Sequence, residues 1–129
     1  MVKSVKFVNG VFACAVAAGL GIAGVSLAAA TAGDPVRGKE LYQGCSACHS
    51  IDDNDLGPKH RGVVGRHAGS IADYSYSPAL KSSGLTWDPA TLDKWLTNPS
   101  ALVPGTKMFF RLDAAQDRAD VISYLATLK

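Results

Sequence analysis

Cys45-Ser46-Ala47-Cys48-His49 is the stretch of this 129-residue chain best equipped for chemistry. Two thiols three residues apart at a helix end can each add across a vinyl group of one porphyrin. The next residue then places an imidazole over the iron, which is the pattern of c-type haem attachment. Three other readings fit less of it. A zinc site needs further Cys or His ligands at suitable spacing, and the sequence has no second Cys pair. A thioredoxin-like redox pair needs a βαβ setting, which the hydrophobic pattern does not offer. A plain disulfide leaves His49 without a role.

A haem iron held by a proximal His usually takes a second imidazole or a thioether on its other face. Beyond residue 32 the choices are His60, His67 and Met108. Met108 ends the turn-rich run Val103-Pro104-Gly105-Thr106-Lys107-Met108, far along the chain from His49, as a ligand approaching the opposite face must be. His60 and His67 sit among Lys59, Arg61 and Arg66, and the sequence reads both as exposed surface residues. Met108 is therefore favoured, with the histidines as alternatives.

The compartment is legible at the N-terminus. Lys3 and Lys6 form a positive n-region, Val11 to Ala30 carries no charge, and Ala30-Thr31-Ala32 has the small-x-small form of a signal-peptidase site. The sequence predicts a signal peptide over residues 1–32 and a single exported domain over 33–129. An uncleaved anchor is the alternative, because an apolar stretch of about 20 residues can span a bilayer. Either way the domain belongs on the exported, periplasmic side of a bacterial membrane. Without its leader the chain has 97 residues, enough for one small domain. The 13 Lys+Arg fall to 11 without Lys3 and Lys6, against 11 Asp+Glu. Zero formal charge excludes a basic nucleic-acid binder, and the length excludes a multidomain enzyme.

Four helices are predicted to position these groups. Asp34-Pro35 opens a segment running to about Cys48, Ser77-Pro78 one that stops at Gly84, and Asp88-Pro89 one that ends before Asn98-Pro99. Each starts with a capping side chain followed by proline at the first helical position. The fourth begins at Asp113, where Gln116 completes a spacing like a capping box. It carries Val121, Tyr124, Leu125 and Leu128 at helical period. Ser50–Asp73 and Pro99–Arg111 read as loops, and nothing alternates as a strand. The fold class is all-α, with about four short helices and long loops. Such elements bury little apolar surface by themselves, so a haem is expected to fill the middle.

The chain resembles the class I c-type cytochromes, of the bacterial cytochrome c2 and mitochondrial cytochrome c kind. Several motifs carry the resemblance across Asp34–Lys129. Gly38-Lys39-Glu40-Leu41-Tyr42 is similar to the family's N-terminal helix, whose Gly and aromatic face an aromatic of the C-terminal helix, here Tyr124. Gly57-Pro58 matches the loop whose proline carbonyl accepts the proximal His Nδ1–H. Gly62-Val63-Val64-Gly65-Arg66 resembles the segment whose arginine lies near the haem propionates. Tyr74-Ser75-Tyr76 and Gly84-Leu85-Thr86-Trp87 match segments whose Tyr and Trp hydrogen-bond a propionate. Pro104-Gly105-Thr106-Lys107-Met108 is similar to the methionine-ligand loop, Thr106 included. Trp95 stands where the family often has a tyrosine close to the haem and its Met ligand. The indole can donate a hydrogen bond but not accept one.

The resemblance implies one haem c on Cys45 and Cys48, with His49 and Met108 as iron ligands. Pro58, Arg66, Tyr76, Trp87, Trp95 and Thr106 then belong to the cofactor's surroundings. It implies an electron carrier rather than an enzyme, passing single electrons transiently between respiratory or photosynthetic redox complexes. No small-molecule substrate or nucleic acid is expected, and the protein is expected to be a monomer. The rivals are a haem enzyme or gas sensor with a displaceable sixth ligand, such as a peroxidase, and an anchored cytochrome subunit of a respiratory complex.

Overall fold

The computed structural model describes residues 32–129, so the predicted leader lies outside the described residues. Four of the helices in this span start by one device. The Asp34 carboxylate accepts the amides of Val36 and Arg37 at 2.8 and 3.4 Å and opens α1 (Pro35–Leu41). Ser77 Oγ accepts the Leu80 amide at 3.1 Å and opens α2 (Pro78–Lys81). Asp88 accepts the Thr91 amide at 2.7 Å for α3 (Pro89–Thr97), and Asn98 accepts that of Ala101 at 3.1 Å for α4 (Pro99–Leu102). Proline at the first position has no amide to leave unpaired, and its φ is already helical.

The fifth helix, α5 (Ala115–Thr127), starts differently from the sequence prediction. Its N-cap is Ala114, with no side-chain cap. Gln116 closes no capping box; its amide donates to Asp120 Oδ1 at 2.7 Å. Two other expectations shift. The first helix stops at Leu41 and continues only as a 3₁₀ turn over Tyr42–Gly44. The second ends at Lys81 rather than Gly84, and α4 occupies the start of a segment read as loop. Asn98-Pro99 both ends α3 and begins α4, and the sequence pattern announces only the first of these roles. The described residues contain no strand, only an isolated antiparallel bridge between His67 and Thr86.

α1 and α5 cross closely because Gly38 lacks a side chain. A Cβ there would fall 2.0 Å from the Asp120 carbonyl oxygen. A helix-interior Gly costs about 1 kcal/mol relative to Ala, which the close approach offsets. One turn on, Tyr42 and Tyr124 meet edge to face, their ring centroids 5.3 Å apart. At the other end of the crossing Asp120, 1% exposed, accepts the Asp34 amide at 2.8 Å and pairs with Arg37. The Asp34 amide, then Gln116 and Arg37, hold the Asp120 carboxyl below its ordinary value.

A carboxyl depressed on folding stabilises the fold above its unfolded pKa, and that contribution is lost as pH falls through the folded value. The stability gap between the parent holoprotein and Asp120→Asn is therefore expected to be constant at neutral pH. It should shrink progressively below about pH 4. Thermal melts of both proteins from pH 7 to 2 check this; a gap independent of pH contradicts it.

The long loops are pinned rather than loose. The His60 and Arg61 amides donate to Ser50 and Ile51 carbonyls at 3.0 and 2.8 Å, and those of Gly65 and Ala68 to Trp87 and Leu85 at 2.9 Å each. The loops, α3 and α5 are thereby held around a central hollow.

Candidate functional site

The hollow is a cavity of about 480 Å³, within the range of about 300–1,000 Å³ usual for cofactor sites. Val63, Leu80, Leu92, Leu96, Val121 and Leu125 make its walls apolar, beside the packed rings of Trp87 and Trp95, 5.0 Å apart.

Successive tight turns deliver the attachment motif to this wall. The Cys45 and Ser46 amides donate to the Tyr42 carbonyl at 2.8 and 3.1 Å, and those of Cys48 and His49 to the Cys45 carbonyl at 3.1 and 3.0 Å. One helical turn thus separates Cys45 from Cys48 and His49, which share a face at spacings of three and four. All three line the cavity. Both thiols are free, and burial followed by the neighbouring Cys48 pushes the Cys45 thiol up to about 11. Among the described residues no group of three or more His, Cys, Asp or Glu side chains is placed to share a metal ion.

His49 is locked in one tautomer. Its Nδ1 lies 2.7 Å from the Pro58 carbonyl oxygen, which only accepts, so the proton sits on Nδ1 and the Nε2 lone pair is left for a metal. Burial lowers the His49 pKa against the opposing Pro58 bond. The ring lies against Gly57, where a Cβ would come within 2.2 Å of Cε1.

Met108 reaches the same cavity from the other loop. A turn closed by the Thr106 amide on the Val103 carbonyl at 3.1 Å, with Gly105 at φ +92°, directs the chain inward. Buried Thr106 then accepts the Met108 amide on its hydroxyl at 3.3 Å. Trp95 donates its indole N–H to Met108 Sδ at 3.2 Å. The sulfur keeps a second lone pair for another partner.

Pro58, Arg66, Tyr76, Trp87 and Thr106 also line the cavity. Arg66 is half-buried and donates to the Arg61 and Lys59 carbonyls at 3.0 and 2.8 Å. Half-buried Tyr76 packs edge-on against Tyr74, and burial raises its hydroxyl pKa. Lys107 donates to the Ser75 carbonyl at 3.1 Å across the cavity's side.

His60 departs from its sequence reading. It is not a surface residue: its ring stacks on His49 with centroids 4.0 Å apart and planes 19° apart, and its Nδ1 is bonded to the Tyr42 hydroxyl at 2.9 Å. Burial, then His49 and Arg66, push its pKa down to about 3. The charged neighbours Lys59 and Arg61 do not reveal this, because a loop without period gives no sign of which side chains turn inward. His67 is exposed, with Thr86 at 3.0 Å from its Nδ1.

The donor set fits a c-type haem: two free thiols, an imidazole with Nε2 available, a thioether sulfur and apolar walls around them. The comparisons agree. The cytochrome c family model matches residues 35–129. Cytochrome c2 of Rhodomicrobium vannielii is 53% identical over 106 residues, covering 79% of this chain and 85% of that protein. Cytochrome c2 of Rhodopila globiformis is 46% identical over 75% of this chain and 95% of its own length. Among solved structures, cytochrome cH from Methylobacterium extorquens is 47% identical with a TM-score of 0.71, covering 74% of this chain and 99% of that one. The chain therefore belongs to the cytochrome c family, as a haem-carrying electron-transfer protein with one covalently attached haem c.

Proposed function

We propose that the protein is a periplasmic one-electron shuttle between membrane redox complexes, in which Cys45 and Cys48 anchor the haem and His49 Nε2 and Met108 Sδ ligate its iron. The observation that carries this reading is the convergence of both thiols, His49 and Met108 on a single apolar cavity. When bound, the haem supplies a reversible change of one electron at iron. The chain's own work is to hold that centre and keep water from it.

Pro58 fixes the His49 tautomer, and Trp95 holds the Met108 sulfur at one lone pair. His49 Nε2 and Met108 Sδ would both be taken up in holding the iron, which would leave it no open position for a substrate and favours a carrier over a peroxidase or gas sensor. Pro58, Arg66, Tyr76, Trp87 and Thr106 are assigned to the cofactor's surroundings on their place in the cavity wall. Residues 1–32 are proposed as a cleaved leader and 33–129 as the working domain. No helix among the described residues is long and apolar enough to cross a membrane.

Leu56 and Phe109 line the cavity and are each 75% exposed. Exposed Lys107 lines it as well, and exposed Asp55 precedes Leu56. Redox encounters are small and transient, and charge mainly sets their on-rate. A balanced rim steers weakly. Reduced protein mixed with membranes carrying its acceptor should be oxidised in a single one-electron phase. Its rate should fall less than about tenfold as the Debye length shrinks from roughly 30 to 10 Å. Stopped-flow absorbance checks both points. A drop of several decades reveals a strongly charged docking face, and ready carbon monoxide binding by the parent protein contradicts the carrier reading.

A further inference from the structure

His60 is a cavity-lining imidazole that the proposed electron carrier does not use. Its partner in the stack, His49, is held by a single hydrogen bond at Nδ1 and by Gly57 along one edge. The χ2 of histidine is intrinsically broad, and one hydrogen bond at Nδ1 restrains that torsion without fixing the ring plane. A flat group against the face of the ring removes this freedom. His60 supplies it, 4.0 Å away and nearly parallel.

His60 is itself held firmly. Its Nδ1 is bonded to the Tyr42 hydroxyl, and buried Tyr42 packs edge-on against both His60 and Tyr124. The His60 amide donates to the Ser50 carbonyl, and its carbonyl accepts the Val63 amide at 2.9 Å. An unbroken run of ring contacts thus leads from α5 through Tyr124, Tyr42 and His60 to His49.

We propose that His60 is a positioning residue for His49: it sets the plane of the His49 imidazole and, through its π face, favours the oxidised protein. The second effect follows because oxidation places more positive charge on a metal-bound imidazole, and a neutral aromatic face attracts such charge. The proposal rests on His49 being the proximal ligand.

The test uses the holoprotein and its variants His60→Ala, His60→Phe and Tyr42→Phe. Proton NMR of the oxidised form reads the order of the shifted haem-methyl signals, which responds to the plane of an axial imidazole. Redox titration reads the ratio of reduced to oxidised protein at a fixed solution potential. His60→Ala is expected to reorder the methyl signals and to raise that ratio by about threefold or more. His60→Phe keeps a flat face and should retain the parent order. Tyr42→Phe frees His60 from its tether and should shift the signals in the same sense as His60→Ala, by less. A parent-like order and ratio in His60→Ala, with only a lower melting temperature, overturn the proposal. Should His60→Ala not accumulate as holoprotein, Tyr42→Phe decides: shifted signals support the proposal and unshifted signals overturn it. A parent protein lacking a low-spin methyl pattern altogether would instead sink the ligand assignment of His49.

Discussion

Met108→Ala is expected to lose the weak charge-transfer band at the red end of the oxidised spectrum, which marks a thioether bound to Fe(III). Beyond residue 32 the sequence holds no other methionine to take its place. Trp95 cannot substitute, because its indole nitrogen only donates. His67 is exposed, and His60 is held in the stack on His49 by its bond to Tyr42, so water is the expected occupant. A harder ligand favours Fe(III), so the reduction potential should fall. Carbon monoxide and cyanide should bind where the parent resists them, and peroxide-dependent oxidation of a dye should rise.

Stability should fall as well. Truncating a packed methionine costs about 2–5 kcal/mol, and here the loop around Gly105 also loses its inward tie. Trp95 would also lose the sulfur that accepts its indole N–H. Absorption spectra, a redox titration and a thermal melt of the two proteins check these points together. Identical spectra and potentials would reduce Met108 to packing and return attention to the histidines.

Removing the two thiols should have a still larger effect. In Cys45→Ser, Cys48→Ser no thioether can form, and acid-acetone should extract any colour that the parent retains. Mass spectrometry of the parent reads the haem and tests the proposed leader cut between Ala32 and Gly33 in one measurement. The apoprotein of the double variant is expected to show no cooperative thermal transition.

The magnitudes support that expectation. An empty apolar cavity of about 480 Å³, at about 24 cal/mol per Å³, costs at most about 12 kcal/mol. It is an upper bound, since the hollow opens to water and its walls can close in part. Total stability is only about 0.05–0.15 kcal/mol per residue, or about 5–15 kcal/mol for a domain of this length. The cost of leaving the cofactor's space empty is therefore comparable to the whole net stability of a domain of this length. A sharp cooperative melt of the double-variant apoprotein would show that the side chains suffice without it.

The same imbalance explains how far the fold could be read. Short helices with long loops implied a filled centre, and the cavity lies where they meet. The helix starts at Asp34, Ser77 and Asp88 were legible because each cap spans only three residues. The start of α5 was misjudged because Gln116 turns to Asp120, one turn further along the same helix. Asp120 is in turn buried under the Asp34 amide, 86 residues away in sequence. No local pattern announces a partner at that distance.

The sequence by itself determined the attachment chemistry. Cys45, Cys48 and His49 lie within five residues, and a single helical turn places spacings of three and four on one face whatever the rest of the chain does. It also determined the all-α class, through caps and prolines that act on neighbouring amides. Only the tertiary structure decided what surrounds that motif. His60 and His67 look alike in sequence, each beside cations, yet one stacks on His49 and the other faces solvent. Trp95 and Met108 are 13 residues apart on different elements, and their hydrogen bond exists only because α3 and the following loop pack on the same hollow. Loops have no period to orient their side chains, so their inward faces are set by long-range contacts that form only when the chain closes around its centre.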